Sequence, residues 1–182
     1  MGSQLTKIFG MIFPKKEIRI LMVGLDAAGK TSILFKLSRS QAIVIPTIGY
    51  ITEIIEYKNI KFNIWDVGGK SIFWTQYYQN IDAIIFVVDS TDTCRIQDAR
   101  NELQKLMNED QLKDTTLLVF ANKQDLPQAM LLPDIIEKLE LNGFHNRNWH
   151  AQACCANTGE GLQRGLQWLS IIFNKKQKRS DK

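Results

Sequence analysis

Gly24-Leu25-Asp26-Ala27-Ala28-Gly29-Lys30-Thr31 fits the spacing G-x-x-x-x-G-K-[ST]. The chemistry of that spacing is phosphate binding. Glycines let the main chain curl until several N–H groups face one point, and the N-terminus of a following helix adds partial positive charge. Asp26 to Ser32 would form the nest. Lys30 is expected to reach the β- and γ-phosphates of a nucleoside triphosphate, and the Thr31 hydroxyl to bind Mg²⁺. The bland alternative is an incidental glycine turn. At an average glycine usage of about 7%, fewer than roughly one random chain of this length in a hundred would match.

A second cluster, Asn122-Lys123-Gln124-Asp125, follows an apolar run directly. A carboxylate at Asp125 can accept hydrogen bonds from the ring N–H and the amino group of guanine. Adenine offers no donor at those positions, so a buried, unpaired Asp125 would penalise it by about 1–3 kcal/mol. Alone, N-K-x-D is more often a polar loop. After a P-loop it points to a guanine nucleotide held by Asn122, Lys123 and Asp125. An ATP-using P-loop kinase is the competing enzyme class, disfavoured by these residues and by the lack of a spare lid segment.

Such residues need elements to position them. Ile18–Val23, Ala83–Val88, Thr116–Ala121 and Trp149–Cys154 are short apolar runs, mostly without polar alternation, as in parallel strands covered on both faces. The P-loop follows the first, and Asn122–Asp125 the third. Ligands of doubly wound sheets bind beyond the carboxyl ends of the strands, so both clusters should face one crevice. Helical stripes lie between: Ile33, Leu34 and Leu37; Ile96, Ala99, Leu103 and Leu106; Leu162, Leu166, Leu169 and Phe173. Tyr50–Tyr57, a turn at Lys58–Asn59, and alternating Ile60, Phe62 and Ile64 predict a hairpin. The expected fold is α/β, a mostly parallel sheet with an antiparallel edge strand and helices on both faces.

The 182 residues suit one domain, and 45% hydrophobic with 23% charged content excludes global disorder and disulfide scaffolds. The net charge of +4 is concentrated in the last eight residues, which hold Lys175, Lys176, Lys178, Arg179 and Lys182 against Asp181. The remainder is neutral, so no nucleic-acid partner is expected. The tail reads either as a solvated, disordered end or as an attraction to anionic lipid. Cys94, Cys154 and Cys155 lack metal-ligand spacing and fit a reducing, cytosolic compartment. No run is long enough to span a membrane.

The segments GLDAAGKTSIL (24–34), IPTIGY (45–50), WDVGG (65–69), VFANKQDLP (119–127) and ACCANTGEGL (153–162) together resemble the ADP-ribosylation factor (Arf/Arf-like) family of small GTPases. The resemblance runs along nearly the whole chain. It implies a six-stranded P-loop fold that binds GTP or GDP with Mg²⁺ and, as a monomer, recruits effectors at membranes of the Golgi or vesicles. Thr47 would sense Mg²⁺ and the γ-phosphate, Asp66 would act on Mg²⁺ through water, and the Gly69 N–H would bind the γ-phosphate. The Ala156 N–H would contact the guanine carbonyl, with Cys155 beside it. Tyr50, Trp65 and Tyr77 match an aromatic cluster that effectors read, core packing being the alternative. An exchange factor and an activating protein are further implied partners.

The chain departs from that pattern. The family carries a glutamine after the double glycine, and here Lys70 follows Gly69. Four residues, Lys70 to Phe73, precede Trp74 where the family has seven, so switch II is expected to be three residues short. Switch I is also about one residue shorter. An amide both accepts from and donates to its neighbours, whereas an ammonium only donates. Slow GTP hydrolysis is therefore expected, by Lys30, Thr47 and Gly69 without a catalytic glutamine. A non-hydrolysing scaffold held in one nucleotide state is the alternative.

Met1-Gly2-Ser3-Gln4-Leu5-Thr6 fits the myristoylation pattern at Gly2. Leu5, Ile8, Phe9 and Ile12 fall on one helical face, so residues 1–16 read as an amphipathic membrane-binding helix or as one packed permanently on the domain. Residues 17–174 are then the GTP-binding domain and 175–182 a basic tail. Family precedent couples release of that helix to a slide of the 50–65 hairpin.

Overall fold

The computed structural model describes residues 16–47, 50–57, 60–66 and 75–180. The strands are β1 (Lys16–Val23), β2 (Ala42–Thr47), β3 (Tyr50–Tyr57), β4 (Ile60–Asp66), β5 (Ala83–Asp89), β6 (Thr116–Asn122) and β7 (Trp149–Ala153). The helices are α1 (Lys30–Gln41), α2 (Ile96–Met107), α3 (Leu132–Lys138) and α4 (Leu162–Ser180). One sheet runs in the order β2-β3-β4-β1-β5-β6-β7. The pairs β4-β1, β1-β5, β5-β6 and β6-β7 are parallel, while β3 is antiparallel to both β2 and β4.

The six expected strands are present, one of them opposed to the rest. A seventh, β2, extends the sheet, so the antiparallel strand lies one position inside the rim rather than at the edge. Pro46 breaks no ladder that matters there, because an edge strand tolerates a missing donor.

Alternate residues of each strand face opposite layers. Ile18, Ile20, Met22, Phe62, Ile64, Leu118 and Phe120 pack with Ile33, Leu34 and Leu37 of α1 and with Leu162, Leu166, Leu169 and Phe173 of α4. On the other face, Leu21, Val23, Ile84, Phe86 and Val119 pack with Ile96, Ala99, Leu103 and Leu106 of α2 and Ile135 of α3. Each such side chain removed from water contributes roughly 1.5–3 kcal/mol. Covering both faces is what gives β5 and β6 their unbroken apolar runs.

One feature departs from the sequence expectations. The basic run at 175–180 is no separate disordered end: α4 continues through it to Ser180, and Lys176 Nζ lies 3.4 Å from Thr116 Oγ1. Lys and Arg are good helix formers, and no Gly or Pro stops the helix. Glu53 of β3 is fully buried, paired across the ladder with Ile64, and among the described residues neither carboxyl oxygen has a hydrogen-bond partner. Burial raises its pKa. The proposed N-terminal helix, with Gly2, lies outside the described residues except for its last position, Lys16, which opens β1 instead.

Candidate functional site

β1 delivers the chain to the sheet's carboxyl edge at Gly24, and the loop to Lys30 turns it into α1. Two glycines are required by close approach. A Cβ on Gly24 would lie 2.2 Å from the Val87 carbonyl oxygen, and one on Gly29 would lie 2.3 Å from Asn122 Nδ2. Gly29 also has φ +94°, in the region that favours glycine. Lys30 is buried, and its Nζ donates to the carbonyls of Gly24 at 3.1 Å and Leu25 at 3.0 Å. Two of the ammonium's three donors are thus engaged in shaping the loop. Burial lowers the Lys30 pKa, against the opposing charges of Asp66 and Asp26.

Beside Lys30, the Thr31 hydroxyl donates to Asp66 Oδ2 at 2.5 Å. Asp66 ends β4 and is buried, and among the described residues its Oδ1 has no hydrogen-bond partner. Burial pushes this carboxyl up, while the Thr31 hydrogen bond and the Lys30 charge act against that shift. A hydroxyl next to a buried carboxylate with an open oxygen is a hard-oxygen donor set of the kind Mg²⁺ prefers. The pair fits the ion.

β6 brings the second cluster to the same edge. Asn122 is buried; its Nδ2 donates to the Ala28 carbonyl at 2.9 Å, and its Oδ1 accepts from the Ala156 N–H at 3.0 Å. One amide therefore ties the phosphate loop to the loop after β7. The Ala156 N–H, expected toward a guanine carbonyl, is engaged by Asn122 here, and a base would have to share it.

Lys123 has φ +67° and its Nζ pairs with Asp89 Oδ2 at 2.6 Å. Burial alone would raise the Asp89 pKa, but hydrogen bonds from Lys123 and Thr91 outweigh it and the net shift is downward. A cavity opens between the loops, lined by Gly29, Ser32, Asn122, Lys123, Asp125, Leu126, Ala156 and Asn157. Asp125 stands exposed among the residues that line it. Cys155 is buried, its Sγ accepting from the Thr158 N–H at 3.4 Å, and it does not line the cavity.

Trp65 and Tyr77 meet edge to face with ring centroids 6.0 Å apart, both resting on the α2 side of the core, and Arg19 lies 4.9 Å over the Trp65 ring. Thr47 ends β2 and Tyr50 opens β3, and the two are paired across the ladder. Gly69 and Lys70 lie outside the described residues.

Sequence reasoning missed three residues that shape the site. Arg95 bridges Asp92 and Asp26. Lys36 of α1 donates to the Asn157 carbonyl at 2.8 Å. Gln124 Nε2 donates to Ser90 Oγ at 2.7 Å and to the Met130 carbonyl at 3.0 Å, fixing the loop behind Asp125. Arg95 and Lys36 belong to no local motif, Gln124 fills the variable position of N-K-x-D, and each also acts through a partner on another loop.

A phosphate loop and a base-sized cavity joined at the carboxyl edge of this sheet define a small GTPase. Residues 4–172 match the ADP-ribosylation factor family. The Arl6 BBS3 small GTPase from Trypanosoma brucei, solved with the bound nucleotide analogue GppNp, is 31% identical with a TM-score of 0.78. That match covers 88% of this chain and 99% of the other. This chain belongs to the ADP-ribosylation factor family, whose members bind GTP or GDP with Mg²⁺ as switches.

Proposed function

We propose that this protein is an Arf-type switch that binds GDP and GTP with Mg²⁺ and, in its GTP state, recruits effectors at Golgi or vesicle membranes. The observation that carries this reading is the Thr31–Asp66 pair, with its open carboxylate oxygen, tied through the same loop and Asn122 to the cavity at Asp125. In it, Asp26 to Ser32 cradle the phosphates, and Thr31, Thr47 and Asp66 hold Mg²⁺, the last through water. The ion, when bound, neutralises charge on the phosphate oxygens. Asn122, Lys123, Asp125, Cys155 and Ala156 form the base side, Asp125 accepting the two guanine donors. The Gly69 N–H meets the γ-phosphate, and Tyr50, Trp65 and Tyr77 form the face that effectors read.

Hydrolysis is slow in this reading. Positioning and electrostatics carry nearly all of phosphoryl transfer, and Lys70 cannot accept a hydrogen bond from an attacking water. A scaffold that never hydrolyses is the second reading, and Lys70 is what favours it. N-myristoylation of Gly2 and the apolar face at Leu5, Ile8, Phe9 and Ile12 together attach the protein, since one acyl chain alone binds membranes only marginally.

Purified protein is expected to retain guanine nucleotide, to exchange labelled GTP against GTP but not ATP, and to show single-turnover hydrolysis far below that of a stimulated Arf protein. Restoring Lys70→Gln is expected to raise the rate roughly tenfold. Displacement of the label by ATP defeats the guanine reading. Rapid hydrolysis by the unaltered chain defeats the slow-switch reading, and none at all leaves the scaffold. Equal liposome flotation of myristoylated protein with GDP and a non-hydrolysable GTP analogue removes the coupling to membranes.

A further inference from the structure

The phosphate loop turns over at the Asp26–Ala27 peptide, where Ala27 takes φ +62°, a conformation that side chains with a Cβ seldom adopt. Arg95, the residue before α2, grips this peptide. The Arg95 main-chain N–H donates to Asp92 Oδ1 at 3.1 Å and its Nε to Asp92 Oδ2 at 2.6 Å, so one carboxylate fixes the helix start and the guanidinium plane together. The same guanidinium donates from Nη1 to Asp26 Oδ1 at 2.9 Å and from Nη2 to the Asp26 carbonyl at 3.4 Å.

The Asp26 side chain is 86% exposed, so burial does nothing to hold it. A lone surface ion pair of this kind contributes little. This one also takes hold of a carbonyl. In a trans peptide the carbonyl and the following N–H point in opposite directions, so a carbonyl drawn toward Arg95 turns the Ala27 N–H toward the inside of the loop.

We propose that Arg95 is a positioning residue for nucleotide binding, orienting the Ala27 N–H through the Asp26 carbonyl and tying the Asp26 carboxylate away from the phosphates. The proposal rests on the reading of residues 24–31 as the phosphate loop. Its two components are separable. The carbonyl contact serves both nucleotides, whereas the carboxylate, if released, repels the triphosphate more than the diphosphate because GTP carries the additional charge.

The test is dissociation of fluorescent GDP and of a fluorescent non-hydrolysable GTP analogue from the full chain, at low and high salt, with unfolding of each variant followed in parallel. Arg95→Gln is expected to release both nucleotides roughly three- to tenfold faster, the triphosphate more, as loss of a charge-assisted contact implies. Adding Asp26→Asn should return the triphosphate-to-diphosphate ratio to that of the unaltered protein while the diphosphate still leaves quickly. Arg95→Lys keeps a point charge without the planar fork, so it should preserve the ratio but not the rates. Should Arg95→Gln not fold, Asp26→Asn and Arg95→Lys carry the same contrast.

Unchanged rates in Arg95→Gln, or strictly additive effects of Arg95→Gln and Asp26→Asn, overturn the proposal. An equal loss for both nucleotides that only tracks thermal stability overturns it too. If the unaltered protein holds neither nucleotide, the phosphate-loop reading falls and this proposal with it. Firm retention with an indifferent Arg95 overturns this proposal alone.

Discussion

Asn122 and Ala28 are 94 positions apart in sequence and are joined by a 2.9 Å hydrogen bond from the Asn122 amide to the Ala28 carbonyl. The other end of that amide accepts from Ala156 at 3.0 Å. Three loops from three strands are thereby held by one side chain, which sets the spacing between them.

Asn122→Ala is therefore expected to cost about 1–3 kcal/mol of stability, because it leaves a buried carbonyl and a buried N–H without partners. Nucleotide should dissociate at least several-fold faster. Asn122→Asp keeps the acceptor for Ala156 but sets a carboxylate against the Ala28 carbonyl, so it should be no better than alanine at neutral pH. Urea unfolding and nucleotide release, measured on both variants, check the pair. An aspartate that behaves like the native residue would remove the stapling argument.

Much of this site is legible in the sequence because the phosphate loop and the N-K-x-D cluster are contiguous, and each follows an unbroken apolar strand. What is hidden is pairwise and long-range. Arg95 reads only as the first polar residue before a helical stripe, and nothing near it names Asp26 as its partner. β2 is not legible because Ala42 to Thr47 is short and carries no alternation, and it pairs only with β3 at the sheet's rim. The basic end was misjudged because net charge says nothing of helix propensity, which Lys175 to Ser180 possess.

The Asp66 carboxylate predicts opposite effects with and without Mg²⁺. Its burial raises its pKa, so ionised Asp66 destabilises the metal-free protein at neutral pH. Asp66→Asn should melt slightly higher than the native chain in chelator. It should also lose most of the gain in melting temperature that Mg²⁺ with GDP gives the native protein. Thermal unfolding in the four conditions decides it, and a full Mg²⁺ response in the variant would count against Asp66 as part of the ion's site.

Glu53 gives the pH dependence. A carboxyl with a raised native pKa binds more protons folded than unfolded, so its contribution to stability falls as pH rises from its ordinary value of 4.5 through the native pKa, and stays unfavourable above. Glu53→Gln should thus match the native protein near pH 4 and exceed it by about 1 kcal/mol or more at pH 7, the scale of a buried unpaired polar group. Denaturant midpoints across that range test it; a constant offset at every pH would rule out titration of Glu53 as the cause.

Gly165 sits inside α4, where alanine would ordinarily gain about 1 kcal/mol of helix propensity. Its Cβ, however, would lie 2.6 Å from the Phe120 ring, which is fully buried. Overpacking of this kind costs about 1–3 kcal/mol, so the clash should win and Gly165→Ala should unfold more easily. Phe120 belongs to the core and not to the cavity lining, so nucleotide dissociation should stay within about twofold of normal. A stabilised variant would show that the ring yields.

The place of β3 between β2 and β4 decides what can move as one piece. β2, β3 and β4 form a flap whose internal pairings are antiparallel, and it meets the remainder of the sheet along a single seam of seven residue pairs between β4 and β1. A slip along that seam by one residue would turn Phe62 and Ile64 out toward water; a slip by two keeps them inward. Any sliding of this flap therefore has a built-in step of two residues, and it can occur with the ladders inside the flap intact.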